Sequence, residues 1–171
     1  VTVQESEIGL LEEGSFNVAG TVDTVKNALA LKINVNNLVS DDLVRTNVAG
    51  QWNGFISVNG ETASPVVDWN LESGNAQLSG LLSFATDRKL GQRTLKLDRV
   101  RIAPQNGGEL MAQGSLELFK DRLLKLDIDS KAFNPSRLNS KLPAGSVNGT
   151  INLSGELAKE KFAGKMQFAP S

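Results

Sequence analysis

The sequence predicts an all-β protein: an elongated, strongly curled, mostly antiparallel sheet with an apolar groove inside it. Apolar and polar residues alternate along most segments of the chain, which is the pattern of strands covered on one side. Glycines recur in the middles of these segments, as in strands that curve strongly. An internal repeat indicates that the sheet is built from two copies of one unit of about 95 residues.

The repeat is carried by one motif that occurs twice. Ala49–Glu61 (AGQWNGFISVNGE) returns as Ala144–Glu156 (AGSVNGTINLSGE), 95 residues later, with the Ala, Gly, Asn, Ile and Glu spacing unchanged. We assign residues 1–107 to a first copy with its connecting strands and residues 108–171 to a truncated second copy. Both copies are expected to form one continuous β domain, and we expect the chain to be a piece of a longer repeat protein.

Each predicted strand has one apolar face, because successive side chains of a strand point to opposite sides. Clusters of Gly, Pro, Asn, Asp and Ser separate the strands at the short intervals typical of hairpins. The apolar faces are expected to line the groove. In chain order, the predicted groove residues are Phe16, Val18, Leu29, Leu31, Ile33, Val35, Trp52, Ile56, Val58, Trp69, Leu71, Leu78, Leu82, Phe84, Leu116, Leu118, Leu124, Leu126, Ile128, Val147, Ile151, Leu153, Phe162, Met166 and Phe168.

One strand changes its alternation part-way. Leu95 and Leu97 occupy odd positions, whereas Val100 and Ile102 occupy even positions. An extra residue in one strand shifts which side the following residues face. The sequence therefore predicts a β-bulge or bend at Asp98–Arg99.

Two stretches interrupt the strand pattern at corresponding places in the two copies. Ser40–Val44 begins with a capping serine followed by two acids, and Asn134–Leu138 begins with a capping asparagine followed by Pro135. Both predict single helical turns. We expect these turns to close one rim or end of the sheet.

The composition argues against catalysis and against a cofactor. The chain has no Cys and no His, which excludes disulfides and the commonest zinc ligands. A serine or threonine nucleophile would also lack its usual base. The neighbouring carboxylates Glu12–Glu13 and Asp41–Asp42 make no acid–base pair by spacing alone, since neighbours in sequence on a strand point to opposite faces. A net charge of −1 argues against nucleic acid as a partner.

Two charged segments are interpreted as solvated strand surface. Asp127–Asp129 starts like a calcium loop, but Lys131, Ala132 and Leu138 stand where an acid, a Gly and a Glu are needed. The basic stretch is interpreted as a hairpin and an outer face, with attraction to anionic headgroups as the alternative. Its cations are Arg88, Lys89, Arg93, Lys96, Arg99 and Arg101.

The apolar face is the remaining candidate for function. The sequence offers no amphipathic helix long enough to cover it, so the sheet must cover itself by curling. A sheet that folds over without closing leaves an apolar trough, which can bind acyl chains or another apolar strand. A filled β-sandwich that acts as a structural spacer is the alternative.

The segment from Leu124 to Met166 resembles a known family. Its parts are LKLDID, NPSRL, LPAGSVNGTINLSGEL and FAGKM. This order of a strand, a turn ending in L-P-x-G, a G-x-x-x-G strand and a further amphipathic strand is similar to the repeat unit of TamB-type proteins in the AsmA-like family. The first copy matches through Ala49–Glu61 but has Thr46–Val48 where the second has Lys141–Pro143.

The resemblance implies a periplasmic role. Members of the family are anchored in the inner membrane of Gram-negative bacteria and bridge the periplasm with a curled β-sheet. They are implicated in moving phospholipid, and in assembling outer-membrane β-proteins with the outer-membrane barrel TamA. The expected partners are thus phospholipid acyl chains or the β-strands of outer-membrane proteins, together with a TamA-like barrel. The family implies no catalytic residues.

Overall fold

The computed structural model describes residues 2–9, 14–39, 51–87, 92–119 and 122–169. The strands within these ranges form one sheet of eleven strands, whose spatial order is the order along the chain. Strands β1 and β11 are the two edges, so the sheet is open. The all-β prediction is confirmed at this level.

The strands run for eight to thirteen residues each. They are β1 Thr2–Gly9, β2 Ser15–Asp23, β3 Ala28–Val39, β4 Gln51–Glu61, β5 Ser64–Glu72, β6 Ala76–Asp87, β7 Gln92–Pro104, β8 Glu109–Glu117, β9 Leu123–Phe133, β10 Val147–Glu156 and β11 Lys161–Ala169. Every neighbouring pair is antiparallel. This meander follows from the short turns, because parallel neighbours would need long crossover connections.

Residues that lie directly opposite one another form four rows across the sheet, from β2 to β11. Row 1 is Phe16, Val35, Gly54, Leu71, Leu78, Ile102, Leu110, Ser130, Gly149 and Phe168, and row 2 is Val18, Ile33, Ile56, Trp69, Gly80, Val100, Ala112, Ile128, Ile151 and Met166. Row 3 is Gly20, Leu31, Val58, Val67, Leu82, Leu97, Gly114, Leu126, Leu153 and Gly164. Row 4 is Val22, Leu29, Gly60 and Pro65 on β2 to β5, and on β6 to β11 it is Phe84, Leu95, Leu116, Leu124, Gly155 and Phe162.

The four rows define one side of the sheet, which we call the apolar face. Directly opposed residues of an antiparallel pair project to the same side. Every row residue except Ser130 is apolar or glycine. Ile56 and Ile151, which the repeat predicts to be equivalent, both belong to row 2 and therefore share this face. The expectation from the motif that the two isoleucines face the same side of the sheet is confirmed.

The predicted bulge in β7 is also confirmed. The pairing of β7 with β8 shifts between Leu97 and Val100, and its pairing with β6 shifts at the same place, which leaves Asp98 as the extra residue. The bulge returns Val100 to the side that Leu97 occupies. The apolar face therefore continues across the change from odd to even positions.

Two further bulges, in β3 and β9, were not predicted from the sequence, and they share one geometry with each other. In β3 the extra residue is Asn37, whose φ of 50° is left-handed, and its N–H donates to Asn53 Oδ1 at 2.9 Å. In β9 the residue with left-handed φ (48°) is Ala132, whose N–H donates to Asn148 Oδ1 at 2.7 Å. Asn37 and Ala132 are 95 residues apart, which is the same offset that separates the two copies of the sequence motif.

A glycine follows the asparagine in each of these bulges. Gly54 has φ 148° and Gly149 has φ 157°, a conformation that side-chain-bearing residues rarely adopt. At Gly54 an added Cβ would collide with the Asn70 carbonyl oxygen on β5. The Asn-Gly pair that recurs as Asn53–Gly54 and Asn148–Gly149 thus marks a shared backbone geometry and not only a shared composition.

Burial is concentrated at the end of the sheet that carries these two bulges. Among the described residues, the buried apolar side chains are Val35, Leu38, Trp52, Ala76 and Phe133. All five lie in row 1 or just beyond it, where Leu38 pairs with Trp52. The compact packing of this domain is therefore at one end, which we call the bulge end.

Two short 3₁₀ turns connect strands. The first, Pro135–Arg137, confirms the helical turn predicted at Asn134–Leu138, and Asn134 caps it as expected. The second, Leu157–Lys159, was not predicted. The turn predicted at Ser40–Val44 lies outside the described residues.

We predict that Gly54→Ala destabilises the chain by about 3 kcal/mol, because alanine resists positive φ and its Cβ meets a backbone carbonyl that cannot move aside. Gly74→Ala is the matched control, since no atom lies within 4 Å of the Cβ position there. Its expected change is within about 0.5 kcal/mol. Urea unfolding midpoints measure both, and equal midpoints for the two variants would contradict the assignment of strain to Gly54.

Candidate functional site

The predicted groove residues lie together on the apolar face. All but three belong to the four rows. Trp52 and Val147 lie just beyond the bulges and pair with Leu38 and Phe133. Leu118 follows the end of β8, outside any strand, and is exposed.

The apolar face is open over most of its area. In rows 2 and 3, the large side chains of β3 to β10 are half-buried, with none in the buried class. On edge strand β11, Phe162, Met166 and Phe168 are 52%, 65% and 64% exposed. Single exposed apolar residues are common on protein surfaces, but contiguous apolar patches mark binding sites.

Aromatic rings lie against glycines on this face. Trp69 on β5 faces Gly80 on β6, and its indole occupies the space that a Cβ of residue 80 would need. On β11, Phe162 stands in the same relation to Gly155. Covering a strand glycine with a cross-strand ring restores packing that the missing side chain would have provided. The two rings therefore fill the space beside these glycines on the apolar face.

One side chain from a connecting segment covers part of the apolar face. Leu138, just after the first 3₁₀ turn, packs against the buried cluster of Val35, Leu38, Trp52 and Ala76. Those residues belong to β3, β4 and β6, whereas the turn connects β9 to β10. The segment therefore reaches over the bulge end of the sheet from its far half.

The turn that carries Leu138 is held by a network centred on Asn134. The Asn134 N–H donates to the Gly107 carbonyl at 2.7 Å, which ties the turn to the β7–β8 connection. Asn134 Oδ1 accepts from the Ser136 N–H at 3.1 Å, from Ser136 Oγ at 2.8 Å and from the Gly145 N–H at 3.4 Å. One side chain thus caps the turn and closes the base of the loop.

The opposite side of the sheet is polar and carries paired charges. A depression of about 600 Å³ lies there, with Asp127 and Asp129 beside Arg99 and Lys131. Because both signs line it, it provides no strong field for a ligand of either charge. Near it, Arg101 Nε donates to Glu109 Oε2 at 2.8 Å, and this hydrogen bond lowers the pKa of Glu109.

The described part of the chain holds neither a metal-binding cluster nor a membrane-spanning helix. No group of three or more acidic side chains there is placed to hold a metal ion. Within the same residues, no helix has the length and apolar character needed to cross a membrane.

Comparisons of the chain with family models, with curated proteins and with solved structures find no match. The likeness to TamB-type repeats in Leu124–Met166 therefore stays a prediction from sequence. The geometry of the apolar face is consequently the basis for assigning a function.

Four residues that shape this face were not predicted from the sequence. Leu38 and Phe133 lie beyond unpredicted bulges, Ala76 begins β6, and Leu138 belongs to a turn. The change from odd Val35 to even Leu38 is the same signal that located the β7 bulge, so it could have revealed Leu38. No sequence pattern indicates the contact of Leu138 with strands far away in the chain.

We predict that Asn134→Ala lowers the free energy of unfolding by about 1 kcal/mol, because the turn loses its cap. Ser140→Ala, an exposed change in the same connection, is the control and should stay within about 0.5 kcal/mol. Thermal unfolding followed by circular dichroism compares them. An Asn134→Ala variant as stable as the control would show that the network does not hold the turn.

Proposed function

We propose that this chain is a non-catalytic segment of a TamB-like periplasmic protein, anchored in the inner membrane, whose apolar face shields phospholipid acyl chains between the two membranes. The observation that carries the proposal is that the four rows across the sheet are apolar or glycine at every position except Ser130. Row spacing of about 7 Å gives the four rows a breadth of about 20 Å, a dimension suited to an extended acyl chain.

The solvent-exposed surface area of the chain favours an open trough rather than a filled sandwich. A compact monomer of 18.3 kDa exposes about 8,100 Å², whereas this chain exposes 11061 Å². A filled sandwich would bury the inward residues of two facing layers. Five buried apolar side chains in the described residues are too few for that arrangement.

We infer that the sheet curls around the apolar face and that two repeats build it, divided near residue 107. The matched bulges at Asn37 and Ala132 support the repeat, because each joins a left-handed residue to an asparagine and a glycine on the next strand. Bulges increase local twist and bending. The packing of Leu138 against the buried cluster at the bulge end supports a curl that brings the far half of the sheet toward the near half.

A second candidate function is chaperoning of outer-membrane β-strands, together with a TamA-like barrel. Edge strand β11 favours it, because an edge presents unpaired backbone N–H and C=O groups to an added strand. Its exposed Phe162, Met166 and Phe168 would give such a strand an apolar neighbour. Lipid shielding remains the primary proposal because it uses the apolar face across the strands from β2 to β11 and not one edge strand alone.

Ile151→Asp tests the primary proposal. Ile151 is half-buried in row 2 between Ile128 and Met166. A carboxylate there must lose water when an acyl chain covers it, so phospholipid binding should weaken by about tenfold or more. Native mass spectrometry of the purified chain with a phosphatidylglycerol and phosphatidylethanolamine mixture measures the bound lipid.

Ser154→Asp is the matched control, because Ser154 lies on the polar side of the same strand, opposite Lys125. Asn152 is unsuitable, since its Nδ2 donates to Asp127 Oδ1 at 2.7 Å and an acid there would face another acid. Both variants are first shown by circular dichroism to be folded. Equal lipid retention by the two folded variants would defeat the lipid proposal, whereas crosslinks from position 151 to outer-membrane β-proteins would favour the chaperone.

A further inference from the structure

We propose that Leu138 sets the limit of the ligand-binding area at the bulge end by occupying part of the apolar face itself. The inference rests on the proposed binding of acyl chains. It adds that the bound chain lies over rows 2 to 4 and stops short of the cluster beneath Leu138. Leu138 is thus a residue that determines which part of the apolar face a ligand reaches.

The first observation is the contact itself. Leu138 packs on a cluster that contains Trp52, which is only 8% exposed, although the cluster belongs to a one-layer sheet. Four residues further on, Leu142 is 44% exposed. The same connection therefore holds one leucine against the apolar face and leaves another in water.

The second observation is that the turn is built to hold its position. Asn134 closes the loop through its bond from Gly145 and attaches the turn to Gly107. The Arg137 side chain packs so closely on Gly107 that an added Cβ there would lie 3.0 Å from Arg137 Cγ. The Leu138 N–H donates to the Pro135 carbonyl at 3.0 Å, which fixes the last residue of the turn. An acyl chain would have to displace an anchored group and not a loose loop.

The two tryptophans of the chain report on the two parts of the face. Trp52 is buried in the cluster that Leu138 contacts. Trp69 lies in row 2 and is half-buried. Trp69 is not among the side chains that pack against that cluster. A ligand limited by Leu138 would therefore contact Trp69 and not Trp52.

The experiment uses quenching of tryptophan fluorescence by a phospholipid with brominated acyl chains, since bromine quenches at close range. Trp52→Phe leaves Trp69 as the reporter, and Trp69→Phe leaves Trp52. We expect the lipid to quench Trp69 and to leave Trp52 nearly unchanged. In Leu138→Ala, Trp52 should become as strongly quenched as Trp69. Lipid affinity should rise by about three- to tenfold, because apolar area becomes free.

Leu142→Ala is the control and should leave Trp52 protected, while Leu138→Met should restore protection by filling a similar volume. If Leu138→Ala does not fold, Asn134→Ala releases the turn with Leu138 intact and should expose Trp52 in the same way.

Three outcomes would overturn the inference. Quenching of both tryptophans with Leu138 in place, or a protected Trp52 in every folded Leu138→Ala and Asn134→Ala protein, would refute the limit while leaving lipid binding standing. Failure of the lipid to quench Trp69 in any protein would overturn both the inference and the proposed function.

Discussion

The register of the antiparallel ladder is the constraint on which the rest of this molecule depends. Side chains alternate along a strand, so a slip of one residue would turn the apolar residues of that strand to the polar side. The bulges at Asn37, Asp98 and Ala132 each add one residue and so preserve the face beyond them. Asn53 and Asn148 hold two of these bulges by accepting the N–H of the left-handed residue.

This register separates a packed part of the sheet from an open part along the length of the strands. At the bulge end, Val35, Leu38, Trp52 and Ala76 form a buried cluster, and Leu138 adds a cover from the β9–β10 connection. Over the other rows, the sheet is a single layer whose apolar side chains are half-buried. Burial of apolar area is the main stabilising contribution in folding. The packed end can therefore hold the fold while the open rows remain available to a ligand.

Much of this arrangement could be predicted from the sequence, because alternation depends only on neighbouring residues. The alternation of apolar and polar residues placed nearly all groove residues on one face. The change from odd to even positions between Leu97 and Val100 located a bulge. The cap at Asn134 was predictable because capping is local. The position of Leu138 was not, since that contact joins residues at least 62 positions apart in the sequence, the separation of Leu138 from Ala76. Whether the apolar face is covered depends on such contacts, so exposure could not be derived from the pattern alone.

The isoleucines give the most direct test of the central claim, that the apolar face and not the polar side receives acyl chains. Ile33, Ile56 and Ile151 all lie in row 2, whereas Met111 lines the depression on the polar side. Methyl NMR spectra recorded during titration with a short-chain phospholipid resolve the two sides. Binding on the apolar face predicts saturable shifts of the Ile33, Ile56 and Ile151 methyls with little change at Met111. Shifts confined to Met111, or none at any methyl with lipid in excess, would contradict it.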